Sequence, residues 1–202
     1  YARVDDAIGD AYAEGGHVFY LLTFPSANVT WAFDFSTKRW AQRGTWISED
    51  NEFTYFRPVY HCFSFGKHLM ADRETGVIYH MSAEYGLDVD ERPIRRVRRA
   101  PALNNEHLRM CFSRLEILVE SGLGTSSGDG EDPQLMMRQS GDFGRTWGNE
   151  LQTSMGRIGE FSQRVIFWRL GQARGKVFEI STTAVTPVRI TDAYLHILPG
   201  TE

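Results

Sequence analysis

The sequence predicts an all-β chain in which part of a β-propeller is followed by a β-sandwich-like antiparallel domain. Three observations carry that prediction. Short apolar runs are broken by turn clusters about every ten residues, which favours antiparallel strands over helices. An Asp-x-x-Thr signal recurs after 38 residues, at Asp34 and Asp72, and periods of about 40–50 residues are the mark of propeller blades. Between residues 83 and 107 the composition switches from acidic to basic around Pro93 and Pro101.

The elements follow in chain order. Residues 17–24, 30–35, 59–65 and 77–81 are rich in aromatic and β-branched side chains and read as strands. Gly15 and Gly16 open the first of them, Asp34 and Thr37 mark the turn after the second, and Trp40 follows. Physically, the glycines allow positive φ or close backbone approach, Asp34 and Thr37 bond turn amides, and Trp40 offers an apolar anchor. This set, Gly15, Gly16, Asp34, Thr37 and Trp40, resembles a kelch-type blade.

The change of domain falls in 83–107, giving a propeller-blade region over 1–90 and an antiparallel β domain over 91–202. In the second region 112–120 alternates, with Leu115, Ile117 and Val119 on one face and Arg114, Glu116 and Glu120 on the other. Further strands are read at 134–138, 164–170, 176–181 and 188–198. Helix is expected only as single turns, because no segment carries a 3.6-residue apolar period.

The most specific motif is Ser140-Gly141-Asp142-Phe143-Gly144-Arg145-Thr146-Trp147. It matches the Asp-box pattern of β-hairpins, and its chemistry is structural. Asp142 accepts turn amides, Gly144 permits positive φ, and Ser140, Thr146 and Trp147 complete the box. The most functional-looking feature is the arginine run Arg92, Arg95, Arg96, Arg98 and Arg99. Such a run can contact DNA phosphates or an acidic partner, or form a charged edge strand that discourages aggregation.

Composition narrows the classes. The net charge is −4, with 7 basic against 13 acidic residues in 1–90 and 15 against 13 in 91–202, so any nucleic-acid contact must be local. Cys62 and Cys111 stand alone in apolar stretches, which predicts buried thiols rather than a disulfide or metal knuckle. The histidines His17, His61, His68, His80, His107 and His196 are scattered without ligand spacing. The acidic segment 126–133 can offer calcium carboxylates but follows no known ligand order, and a solvated turn is the expectation. No cofactor and no metal are expected, and no apolar run reaches the roughly 18 residues of a membrane span. Tyr1 in place of Met and the acidic opening predict a piece of a longer chain.

Sialidase chemistry would need an arginine triad, a tyrosine and an acid. Arg57, Arg73, Arg109, Arg164, Tyr60 and Glu84 can be nominated, but no spacing selects them. A carbohydrate-binding or sialidase-like propeller, with Trp31, Trp40, Trp46 and Trp168 stacking on sugars, is the alternative reading. The four tryptophans fit core packing better.

The order of six segments, 16–25, Trp31 to Asp34, Trp40 to Gly44, 93–99, 140–147 and 164–171, resembles the C-terminal half of bacteriophage packaged-DNA stabilisation proteins. These are tail accessory factors, or tail hubs, of short-tailed phages and prophages. The resemblance implies a structural virion protein without catalysis, present in several copies below the portal, which it helps close to retain packaged DNA. It implies tail or portal proteins as partners, a homo-oligomer in the virion, synthesis in the host cytoplasm and a tail or head–tail location. Contact of the arginine run with DNA is a further expectation from the residues themselves.

Overall fold

The computed structural model describes residues 3–200. These residues form sixteen strands and three single-turn 3-10 helices, with no α-helix among them. The chain divides into two compact units, 1–85 and 86–202.

The first unit holds β1 (Ile8–Glu14), β2 (His17–Phe24), β3 (Val29–Asp34), β4 (Arg39–Ile47) and β5 (Glu52–Tyr55), paired in that order as one antiparallel meander. A second meander joins β6 (Pro58–Ser64), β7 (Lys67–Asp72) and β8 (Ile78–Met81). β4 spends its first half on β3 and its second on β5. The described residues show these two meanders and no closed ring of blades. Tyr12, Leu21, Ala32 and Met70 form the core, with Phe19, Phe56 and Met81 packed against it.

Two features of the unit repeat in geometry. The β1–β2 turn holds Gly15 and Gly16 at φ 57° and 84°, and the β6–β7 turn holds Phe65 and Gly66 at 53° and 70°. Consecutive positive φ values give the tight turn whose twist suits a hairpin. A Cβ on Gly15 or Gly16 would meet nothing, so the pair serves the turn and not a close approach. The recurring aspartates each end a strand and hold the turn that follows. Asp34 accepts from the Ser36 amide at 2.8 Å, the Thr37 hydroxyl at 2.9 Å and His17 Nδ1 at 2.9 Å. Asp72 accepts from the Glu74 amide at 2.7 Å, the Tyr79 hydroxyl at 2.9 Å and Arg57 Nη2 at 2.9 Å.

Three apolar expectations are corrected. Trp40 is 54% exposed and lies against Phe33, with ring centroids 5.0 Å apart, because it stands at the start of β4 beside the Asp34 turn. Trp168 is 57% exposed, on the outward face of its strand. Cys62 is exposed and Cys111 half-buried, because each occupies the solvent-side phase of an alternating strand rather than its core phase.

The second unit is a β-sandwich. One sheet runs β10 (Leu103–Asn104), β15 (Gly175–Thr182), β12 (Gln134–Ser140) and β13 (Leu151–Ser154), and β9 (Arg96–Arg99) pairs with β15 on the same side as β10. The other sheet is β14 (Val165–Ala173), β11 (Met110–Val119) and β16 (Ile190–Pro199). Their inner faces meet in one core that includes Phe112, Leu115, Ile117, Leu135, Met137, Phe167 and Phe178.

Strict alternation from Leu115 would turn Phe112 outward. A register shift between Phe112 and Arg114 adds one residue to β11 relative to β16, and Phe112 returns to the core at 1% exposure. Alternation read from sequence cannot anticipate that bulge.

Asp72 supplies a test in pH. Burial pushes its carboxyl up, but the bonds from Glu74, Tyr79 and Thr75 outweigh that and hold it down to about 2. A depressed folded value means the stabilisation is complete above the unfolded carboxyl range and is lost as pH falls through the folded value. Denaturant midpoints of the wild type are expected to hold down to about pH 4 and to drop between there and pH 2. Asp72→Asn is expected to start lower and to lose much of that slope.

Candidate functional site

The two sequence-predicted features of the second unit, the Asp-box and the arginine run, come together on the outer face of the sheet formed by β9, β15 and β12. In the box, Asp142 Oδ1 accepts from the Ser140 hydroxyl at 2.6 Å, the Arg145 amide at 3.0 Å and the Thr146 amide at 2.9 Å. Its Oδ2 accepts from the Thr146 hydroxyl at 2.6 Å. Ser140 Oγ in turn accepts from the Gly144 amide at 2.8 Å, and Gly144 sits at φ 91°. The Ser140 hydroxyl first, then Thr146, keeps the Asp142 carboxyl well below the usual carboxylate range.

The box shapes the loop between β12 and β13, and the loop carries Trp147 back over the sheet. There the indole lies between two guanidiniums, with Arg99 and Arg138 each 4.8 Å from the ring centroid. Both arginines also hold Glu179, Arg99 at 2.7 Å and Arg138 at 2.5 Å. The register explains why. Arg99 on β9 and Arg138 on β12 both lie directly opposite Glu179 on β15, so the three charges form one row across three strands.

Glu179 is 2% exposed. Burial pushes its carboxyl up, but the bonds from Arg138 and Arg99 prevail and hold it below its ordinary value. A carboxylate so deep is stable only because both sides are paired.

The remaining arginines have separate fates. Arg95 donates to Glu150 at 3.0 Å and to the Ser181 hydroxyl at 3.2 Å. Arg96 donates to the Ala184 carbonyl at 3.0 Å. Arg92 and Arg98 have no carboxylate partner among the described residues, and Arg98 is exposed. A run of five cations thus presents far less free charge than its sequence suggests.

Sequence reasoning missed Arg138, Glu150 and Glu179. Glu179 did carry a signal, as the lone carboxylate in the apolar stretch Val177 to Ile180. Arg138 shares the phase of Ser140, two residues on, which puts it on the same face of β12. Glu150 carries no local signal.

The other nominated residues are spread out. The kelch-like set lies in the first unit, around the Asp34 turn. Arg57 is held by Asp72, and Arg164 pairs with Glu116 at 2.7 Å in the second unit. His61 and His68 meet at 2.9 Å, and His80 bonds Tyr85 at 2.8 Å. In the acidic segment, Glu131 faces Arg157 at 3.5 Å and Asp132 accepts from the Ser154 hydroxyl. Among the described residues no three metal-ligating side chains converge, and no helix is long and apolar enough to cross a membrane.

The site is therefore a cross-braced sheet face whose polar groups are spent on one another. A sandwich stiffened in this way fits a structural protein of an assembly. The family model described as bacteriophage P22 Gp10, beta-sandwich, matches residues 95–197, from the arginine strand to the last strand. The match covers just over half of the chain, and the chain belongs to that family. It is a bacteriophage structural protein of the virion. A search of the curated proteins found no match.

Glu179→Ala tests the brace. Removing the shared carboxylate leaves two guanidiniums crowded beside one indole, which is expected to lower sandwich stability by about 3 kcal/mol, the low end for breaking a buried pair because both arginines reach solvent. The check is a denaturant midpoint. Trp147 fluorescence should change in the folded state as its cationic neighbours are released.

Proposed function

We propose that this chain is a tail accessory factor at the head–tail junction, which helps close the portal and retain packaged DNA. The observation that carries the reading is the family match over the whole sandwich, 95–197. It is supported by the order of short segments along the chain, which resembles packaged-DNA stabilisation proteins from residue 16 to residue 171. The reading is of a structural component without catalysis, made in the host cytoplasm and built into the virion as several copies against tail or portal proteins.

The finer architecture belongs to the same proposal. The two meanders of the first unit, with their paired hairpin turns and strand-ending aspartates, are blades of a propeller that further chain would complete. The arginine run takes a narrower role than its sequence gives it. Arg92 and Arg98 are the two members free to meet a phosphate or an acidic partner, while Arg95, Arg96 and Arg99 hold the sheet.

The experiment replaces the gene in its phage or prophage and counts DNA-filled particles by cryo-electron microscopy. Deletion is expected to yield heads that package and then empty. Arg92→Glu with Arg98→Glu is expected to leave the isolated fold intact and to lower the filled fraction several-fold. Filled, infectious particles from the deletion would end the proposal. Normal retention by the double variant would confine the arginines to a structural role.

A further inference from the structure

Strand β16 is the outermost strand of the β14-β11-β16 sheet, and no strand among the described residues pairs with its far edge. The register to β11 sets the phase of its residues from Asp192 onward, and all of β16 but Leu195 is exposed. Ala193 and Leu195 lie opposite Ile117 and Leu115 of β11, and Leu195 packs against the sandwich core. Asp192, Tyr194, His196 and Leu198 therefore share the outward face, while a register shift between Leu118 and Val119 puts Ile190 opposite Val119, on the core side. Tyr194 and Leu198 on that face are 50% and 57% exposed. The His196 carbonyl accepts from the Ser113 hydroxyl of β11 at 3.2 Å, and the Ala193 amide donates to the Asp192 carboxylate at 2.7 Å, so the even-numbered backbone groups turn toward β11 and the odd-numbered ones outward. A long, apolar edge without a central lysine or proline is an open template for another strand.

We propose that β16 pairs edge to edge with β16 of a second copy of this chain, antiparallel about a two-fold axis through Tyr194. The argument is self-complementarity. With the axis at that residue, Asp192 faces the partner's His196 and Tyr194 faces the partner's Tyr194. Acid meets base twice, and ring meets ring on the axis itself. Moving the axis to Asp192 would bring two carboxylates together, so the charges also select the register.

The charges left over within one copy point the same way. Asp192 accepts from the Tyr194 hydroxyl and the Ala193 amide but has no cationic partner among the described residues. His196 accepts from Arg114 Nη2 at 2.7 Å, and Arg114 lies 5.5 Å from the Trp168 ring without a carboxylate of its own. The partner's Asp192 would complete that Arg114–His196 edge. Pairing turns two three-stranded sheets into one of six strands and is isologous, as most homodimer interfaces are. The inference stands on the second unit alone and does not depend on the role in the virion.

Sedimentation of the chain across a concentration series is expected to show a species of twice the chain's mass. His196→Asp should abolish it by opposing like charges, and adding Asp192→His should restore it by exchanging the pair. A second measurement is independent of those side chains. Outward-facing odd residues make the Tyr194 pair a non-hydrogen-bonded one, whose Cβ atoms come within disulfide reach. In a Cys62→Ser, Cys111→Ser background, Tyr194→Cys is expected to form intermolecular disulfide at least about tenfold faster than Leu118→Cys on the same face, because pairing raises the effective concentration. A monomer at every concentration together with equal rates for the two cysteines would overturn the proposal. So would a dimer that His196→Asp leaves unchanged.

Discussion

Burial of Glu179 is the constraint on which the second unit depends. A carboxylate at 2% exposure in the middle of a central strand must be paired on both sides, and it is, by Arg99 and Arg138. Those guanidiniums reach solvent on their outer side, and Trp147 packs its ring against both of them. Trp147 is held in place by a turn that Asp142 closes with its own hydrogen bonds. The outer strand, the central strand and the loop thus form one chain of dependence rather than three neighbouring features.

Aspartate performs the same service three times in this protein. Asp34, Asp72 and Asp142 each sit where a strand gives way to a turn and accept amide hydrogens from residues two to four positions on. The solution suits an antiparallel protein with many turns, because each turn leaves amide donors that no ladder can satisfy. A carboxylate accepts several of them at once, at the cost of stability in acid.

Local chemistry was legible in the sequence, and distant partnership was not. The box from Ser140 to Trp147 could be read because every contact that shapes it lies within a few residues. So could the phase of Leu115 and Ile117. The arginine run was visible as a cluster, yet Arg99 meets Glu179 80 positions away, and nothing near Arg99 announces it. Trp40 misled because a large aromatic after a turn is as well placed to cover a hairpin as to enter a core. The register shift beside Arg114 was hidden for a different reason: one inserted residue changes the face of everything before it and leaves no mark in composition. The edge of β16 was seen only as a strand, since an open edge is a property of the whole sheet.

The central claim is that the arginine strand and the Asp-box loop act as one unit. A double-mutant cycle between Arg99→Ala and Trp147→Ala, read from denaturant midpoints, measures it directly. Trp147 touches both Arg99 and Arg138 through its ring, and Glu179 ties those two arginines together, so the two substitutions are predicted to be non-additive by more than about 0.5 kcal/mol. Additivity within about 0.3 kcal/mol would contradict the account and leave the arginine strand and the box as independent neighbours.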